Sequence, residues 1–343
     1  MMRTRIRVIY MMTRTLVRVI VLINEMEKSP AVPLSDTENR SLISEVFIIG
    51  FSVHHDYRFA LFSLFFVIYV ITVLSNLLII LLVFLSNLSQ SPMYELLSNL
   101  SLSEIFFTSD ISPLMLHVFI RNGATIPIAS CFTQFFFLSL FAAAESFTLS
   151  AMSYDRFLAI CRPLHYRLIT GPRMCLCLIL ICWTLAFLIT SISISFMKTL
   201  QFCGANIIDH FFCDVTPLLK MSCSDTSIIE TVVSLLSTAA ALFPFLIITV
   251  TYGFVIRTIC KVSSSKGKKK AFSTCTSHLG VVSTYYGSMI IVYVVPHGHI
   301  LMTNKLLSLL YTVINPLVNP FIYTLKNQEI KEAVIQILRN TKR

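Results

Sequence analysis

Charge is what this chain has least of. Of its 343 residues, 13% are Asp, Glu, Lys or Arg, against about 25% in an average soluble domain. With 55% hydrophobic residues and a mean hydropathy of +0.78, that scarcity excludes a soluble enzyme, a disordered chain and a coiled coil. Catalytic signatures are missing as well: there is no P-loop, HExxH or GxSxG pattern. No inverted repeat is visible, which argues against a transporter. The 10 cysteines are too few for a disulfide scaffold, and none follows Cys275 to anchor the tail by palmitoylation. What remains is a polytopic helical membrane protein.

Seven long apolar stretches bear this out, at 60–82, 94–116, 128–152, 174–194, 228–255, 272–295 and 306–325. Each is near the ~20 residues a helix needs to cross ~30 Å of hydrocarbon. None alternates with period two, so helices are preferred to strands. The chain divides into a tail at 1–58, a bundle at 59–325, and a short amphipathic helix and tail at 326–343. An odd number of spans puts the termini on opposite sides. Basic residues crowd one set of loops: Arg162, Arg167 and Arg173; Arg257, Lys261, Lys266 and Lys268 to Lys270; Lys326, Lys331, Arg339, Lys342 and Arg343. The other set holds few, namely Arg121, Lys198, Lys220 and Lys305. By the positive-inside rule the C-terminus is cytoplasmic and the N-terminus extracellular.

The net charge of +10 is therefore mostly a topology signal. A nucleic-acid partner is not expected, because such proteins need a solvated basic face over a conventional core. The run Lys266 to Lys270 abuts a span and suits anionic lipid or a cytoplasmic partner. Arg3, Arg5, Arg7, Arg14 and Arg18 do not fit the topology rule. A signal-like leader is one reading; the preferred one makes residues 1–30 an upstream extension, with Met26 as an alternative start. Past the last span, Ile330, Ala333, Val334, Ile337 and Leu338 share one helical face, as an interfacial helix requires.

Four motifs stand at span boundaries. Pro92-Met93-Tyr94 opens span two, and Met152-Ser153-Tyr154-Asp155-Arg156-Phe157-Leu158-Ala159-Ile160-Cys161 closes span three, followed by Arg162-Pro163-Leu164-His165-Tyr166. Lys270-Ala271-Phe272-Ser273-Thr274-Cys275-Thr276-Ser277-His278 opens span six, and Pro316-Leu317-Val318-Asn319-Pro320-Phe321-Ile322-Tyr323 closes span seven. In this order and at these depths, the set resembles the olfactory receptors, of the tetrapod-type class, within the rhodopsin-like G-protein-coupled receptors. The resemblance runs from about Asn39 to the C-terminus. It departs from the family at Ser75, where Gly is usual, at Glu104, where Asp is common, and at Phe157, where Tyr is commoner.

The resemblance implies a seven-helix bundle with disulfides Cys131–Cys213 and Cys203–Cys223; by arithmetic alone four cysteines allow three pairings. The other six are expected to be unremarkable thiols. Asn39-Arg40-Ser41 is a glycosylation sequon in the tail, whereas those at Asn87 and Asn99 fall out of reach of the luminal transferase. Glu104 and Glu145 lie within spans, where an acid costs roughly 2.5–3.5 kcal/mol to insert. They either persist protonated and hydrogen-bonded or share a sodium ion, as both positions match the family's ion-pocket carboxylates; Asn76 and Asn319 complete that polar core. No other cofactor is expected.

Asp155 and Arg156 form the expected switch: paired at rest, with Arg156 turning to partner groups when the cytoplasmic face opens. Tyr252, Asn319, Pro320 and Tyr323 belong to the same device. Spacing from Arg156 and the resemblance place the ligand pocket at Leu138, Ser139, Ala142 and Ala143 of span three. Span five adds Leu236, Ser237 and Ala240; span six Tyr286, Met289, Ile290 and Tyr293; span seven Leu309 and Thr312. This lining is apolar with a few hydroxyls, and its lack of a carboxylate argues against a charged amine. The implied function is odorant reception without chemistry on the ligand, coupled to a stimulatory G protein and cyclic AMP in olfactory cilia. The alternatives are a related receptor used outside the nose and, in a different class, a small-solute transporter or channel.

Overall fold

The computed structural model describes residues 44–51, 54–86, 88, 91–203, 206–293, 301–326 and 330–335. Seven helical segments form the bundle. They are α1 (His55–Leu85), α2 (Pro92–Arg121), α3 (Ile128–Cys161), α5 (Pro172–Met197), α7 (Ser227–Lys261) and α8 (Ser265–Tyr293). The seventh is a composite of α9 (Leu301–Leu309), a π-helical turn (Leu310–Ile314) and α10 (Asn315–Lys326). Short helices α4 (Pro163–Ile169) and α6 (Val215–Lys220) lie in the connections. Prolines in the first turns of α2, α4 and α5 supply a preset φ where no backbone donor is needed. Pro113, Pro244 and Pro320 sit inside α2, α7 and α10, which membrane helices accommodate because neighbours re-satisfy the freed carbonyls.

Among the described residues, five segments are long and apolar enough to span a membrane by themselves: α1, α3, α5, α7 and Lys305–Thr324. The other two spans are less apolar. The α2 helix carries Glu95, Glu104 and Asp110, and α8 opens on a basic run; they hold their places by packing, α2 on α1 and α3, and α8 on α10. The α3 helix is the bundle's axis, packed on α2, α5, α7 and α8. At the perimeter, Phe59, Phe66, Leu74 and Phe84 of α1 and Leu176, Leu180 and Phe187 of α5 point outward, as a hydrocarbon solvent requires.

One end of the bundle carries a three-stranded sheet that the apolar runs do not announce. Strand β1 (Glu45–Ile48) lies between β2 (Ala124–Pro127) and β3 (Ile207–Ile208), antiparallel to the first and parallel to the second. Val46 and Ile48 are fully buried against Cys131, Ile208 and Cys213, while Glu45 and Phe47 face out. Part of the segment read as a tail is thus docked structure. At the opposite end, Ile330 and Ala333 of the helical stretch 330–335 are buried on the bundle with Val334 beside them; Ile337 and Leu338 lie outside the described residues.

Candidate functional site

At the sheet end, the loop between α5 and α7 is tied down over the bundle. Disulfides join Cys131 to Cys213 (Cα–Cα 5.4 Å) and Cys203 to Cys223 (5.8 Å), the pairing implied by the resemblance. One turn along α3, Gln134 doubles the first link: its Oε1 accepts the Cys213 N–H at 2.9 Å, and its Nε2 donates to the Asp110 carbonyl at 2.9 Å. His210, Phe211 and Phe212 form a buried ring cluster beneath the loop. Burial, and next the charge of Lys305, lower the His210 pKa to about 3, so its imidazole is neutral. Asp214 starts α6, accepting from the Val215 N–H at 2.8 Å; burial raises its pKa.

Deeper in the bundle lie the residues expected to line the pocket. Leu138, Ala143, Ala240, Tyr286, Leu309 and Thr312 are buried; Ser139, Ala142, Leu236 and Met289 are half-buried; Ser237 and Ile290 are exposed. The Tyr293 side chain lies outside the described residues. Three helices meet at a residue the sequence reading missed. Ser146 donates to the Ala240 carbonyl at 3.0 Å and shares a 2.8 Å hydrogen bond with the Tyr286 hydroxyl. Tyr285 donates to the Ala142 carbonyl at 2.9 Å, and the Thr312 hydroxyl is spent on Ser308 O at 2.8 Å. No motif or spacing marks Ser146; its role appears only once α7 and α8 pack on α3.

Below this level Glu104 and Glu145 are both buried and close enough to interact electrostatically. Asn319 donates to Glu104 Oε1 at 2.6 Å, and Asn76 bridges α1 to the seventh span through the Pro316 carbonyl at 3.3 Å. Glu145 Oε1, Asn76 Oδ1 and Asn319 Oδ1 are buried oxygens without a hydrogen-bond partner. Asn99 is engaged from both sides, by the Trp183 indole at 2.9 Å and with Thr148 at 3.2 Å, which accounts for it as a packing residue rather than a glycan acceptor. Asn39 and Asn87 lie outside the described residues.

At the far end of α3, Asp155 and Arg156 form an ion pair at 3.7 Å with both side chains largely buried. Tyr166 of α4, the last residue of the motif that follows span three, donates to Asp155 Oδ1 at 2.9 Å. Burial and the facing carboxylate push its phenol pKa up to about 12. The hydroxyls expected to meet Arg156 are engaged elsewhere: Tyr252 with His278 Nδ1 at 2.9 Å, Tyr323 with Met152 Sδ at 4.0 Å. His278 Nε2 lies 3.1 Å from the Leu149 carbonyl, so one imidazole bridges α3, α7 and α8. Asp155 and Arg156 are thus paired with each other, while the two hydroxyls bond to other partners.

The fold and these layered polar sites define a seven-helix receptor of the rhodopsin type. Squid rhodopsin superposes with a TM-score of 0.67 at 18% identity, covering 83% of this chain and 81% of that one. The profile described as "Olfactory receptor" matches residues 65–341. Relatives include rat Olfactory receptor 1468, 42% identical over 88% of this chain and 96% of its own length. Another is dog Olfactory receptor-like protein OLF1, at 38% over 88% and 97%; human Olfactory receptor 6C2 is 45% identical over 71% and 78%. The chain belongs to the olfactory receptor family. It is a multi-pass membrane receptor, not an enzyme, whose partners are a ligand and a G protein.

Proposed function

We propose that the protein detects small, volatile, weakly polar odorants in the sheet-side half of the bundle and passes the signal to a stimulatory G protein, raising cyclic AMP in olfactory cilia. The N-terminus is extracellular, with Asn39 glycosylated, and the C-terminus cytoplasmic. The observation that carries this reading is the Ser146–Tyr286 hydroxyl pair on the Ala240 carbonyl, set among apolar neighbours. It offers a weakly polar ligand one or two hydrogen bonds, while contact area supplies the rest of the affinity. Ligand binding favours a second packing in which Asp155 releases Arg156 to the G protein, with Tyr252 and Tyr323 as its new partners.

The three unpartnered oxygens of Glu145, Asn76 and Asn319, beside Glu104, fit a hard monovalent cation. Sodium held there would neutralise one of two buried carboxylates, and its departure would free the core to repack. A cyclic-AMP reporter screened against an odorant panel tests the function, with Arg156→Ala as control. Expected is a ligand-dependent signal that this variant abolishes at measurable surface expression. Normal output from Arg156→Ala, or solute flux in place of signal, would overturn the reading.

A further inference from the structure

Lys305 is not the solvated loop lysine its position in the sequence suggests. It is 1% exposed, among the largest fully buried side chains described. Its Nζ donates to the Gly50 carbonyl at 2.9 Å and forms an ion pair with Asp209. Both partners are delivered by the sheet. Parallel pairing of β1 with β3 sets Ile48 beside Ile208, and the register continues through Ile49 N–H to Ile208 O and Gly50 N–H to His210 O, each 3.0 Å. The two strands therefore end side by side, at Gly50 and Asp209. Gly50 turns with φ +68°, and a Cβ there would run into Val118, so only glycine presents that carbonyl without strain.

One turn further along α9, Ser308 Oγ lies 3.4 Å from His210 Nε2, and Phe212 meets Tyr311 edge-on. The loop is thus held twice: to α3 by the Cys131–Cys213 disulfide and Gln134, and to the seventh span by Lys305. A buried ion pair adds little net stability over an apolar contact of the same size, but it favours one register, because a buried ammonium parted from its carboxylate is strongly destabilising.

We propose that Lys305 is a positioning residue for ligand binding, pinning the loop and the N-terminal strand to the seventh span and so fixing the outer wall of the pocket. The proposal rests on the pocket assignment made above. It is tested first without any ligand. Purified full-length receptor in detergent is acylated with an amine-reactive ester, and modified lysines are read by mass spectrometry. Lys198 and Lys220, both exposed, react rapidly; Lys305 is at least tenfold slower, and Asp209→Asn removes that protection. Equal reactivity of Lys305 and Lys198 in the unmodified receptor, or undiminished protection in Asp209→Asn, would refute the clamp.

The second arm reads signalling. Lys305→Met raises the half-maximal concentration of every active odorant about tenfold while the maximal response per surface receptor is unchanged. A residue needed only for folding would lower receptor number and maximal response at unchanged half-maximal concentration, and that result overturns the positioning role. If Lys305→Met fails to reach the surface, Asp209→Asn gives the same readout. A receptor that answers no odorant refutes the pocket reading but leaves the acylation result standing.

Discussion

Replacing His278 with Phe keeps a ring in the same space and removes both of its hydrogen bonds. In the resting packing those bonds join the Tyr252 hydroxyl at 2.9 Å and the Leu149 carbonyl at 3.1 Å, across a fully buried side chain. The Leu149 carbonyl retains its helical partner, but the Tyr252 hydroxyl, 4% exposed as a residue, is orphaned. A buried hydroxyl left unpaired costs about 1–3 kcal/mol. If the proposed switch opens the Arg156 end by parting α8 from α3, Tyr252 is freed for Arg156 and the penalty falls on the resting state alone. One or two kcal/mol changes a two-state ratio by a factor of roughly 5–30. If about 1% of unliganded receptors are active, the variant raises that to about 5–20%. The assay is ligand-free G-protein activation normalised to surface receptor, with an odorant dose–response alongside. Unaltered basal output with an unaltered dose–response would refute the assignment of this bridge to the resting state.

Three further outcomes follow from the same geometry. In the unmodified receptor, sodium at ten times its dissociation constant stabilises by about 1.4 kcal/mol, read as a rise in melting temperature absent with a bulky organic cation; Glu145→Gln abolishes the difference, and equal sodium dependence in both versions would sink the ion site. His210, neutral when folded, loads a proton on unfolding below pH 6.5, so its contribution falls as pH drops from about 6.5 towards 3. At pH 5 the loss is about 2 kcal/mol, seen as lower amide protection factors, taken against the intrinsic exchange rate at each pH, in residues 45–50 and 206–210; His210→Phe flattens that slope, and an unchanged slope contradicts it. Cys131→Ser removes the covalent link between the loop and α3, leaving the Gln134 hydrogen bond, and collapses surface expression, whereas Cys203→Ser opens only a 20-residue separation and leaves a measurable fraction at the surface; surface staining of the two variants decides.

Much of the molecule was legible because a membrane makes local demands. Hydrocarbon asks each span for length and apolarity, so the seven runs stand out one by one, and α1, α5 and α7 need no partner to be recognised. The motifs around Asp155, His278 and Asn319 are contiguous and read directly. Contacts between distant segments were not legible. Strand β1 is four residues long, too short to announce itself, and exists because β2 and β3 arrive on either side. Ser146 carries no motif, and the motif that ends on Tyr166 names no partner for it; their roles come from the carbonyl of Ala240 and the carboxylate of Asp155 being delivered to them. Lys305 was misjudged as a loop charge for the same reason, since burial depends on what folds over it.

The amino-acid sequence by itself determined that this chain crosses a bilayer seven times and belongs with the rhodopsin-like receptors, because span length, apolarity and motif order are properties of one stretch at a time. The tertiary structure decided which of the three cysteine pairings open to arithmetic is formed, which buried oxygens are left without a partner, where His278 bridges and what Lys305 holds. Those are meetings between groups far apart in the chain, and their geometry exists only once the helices have packed.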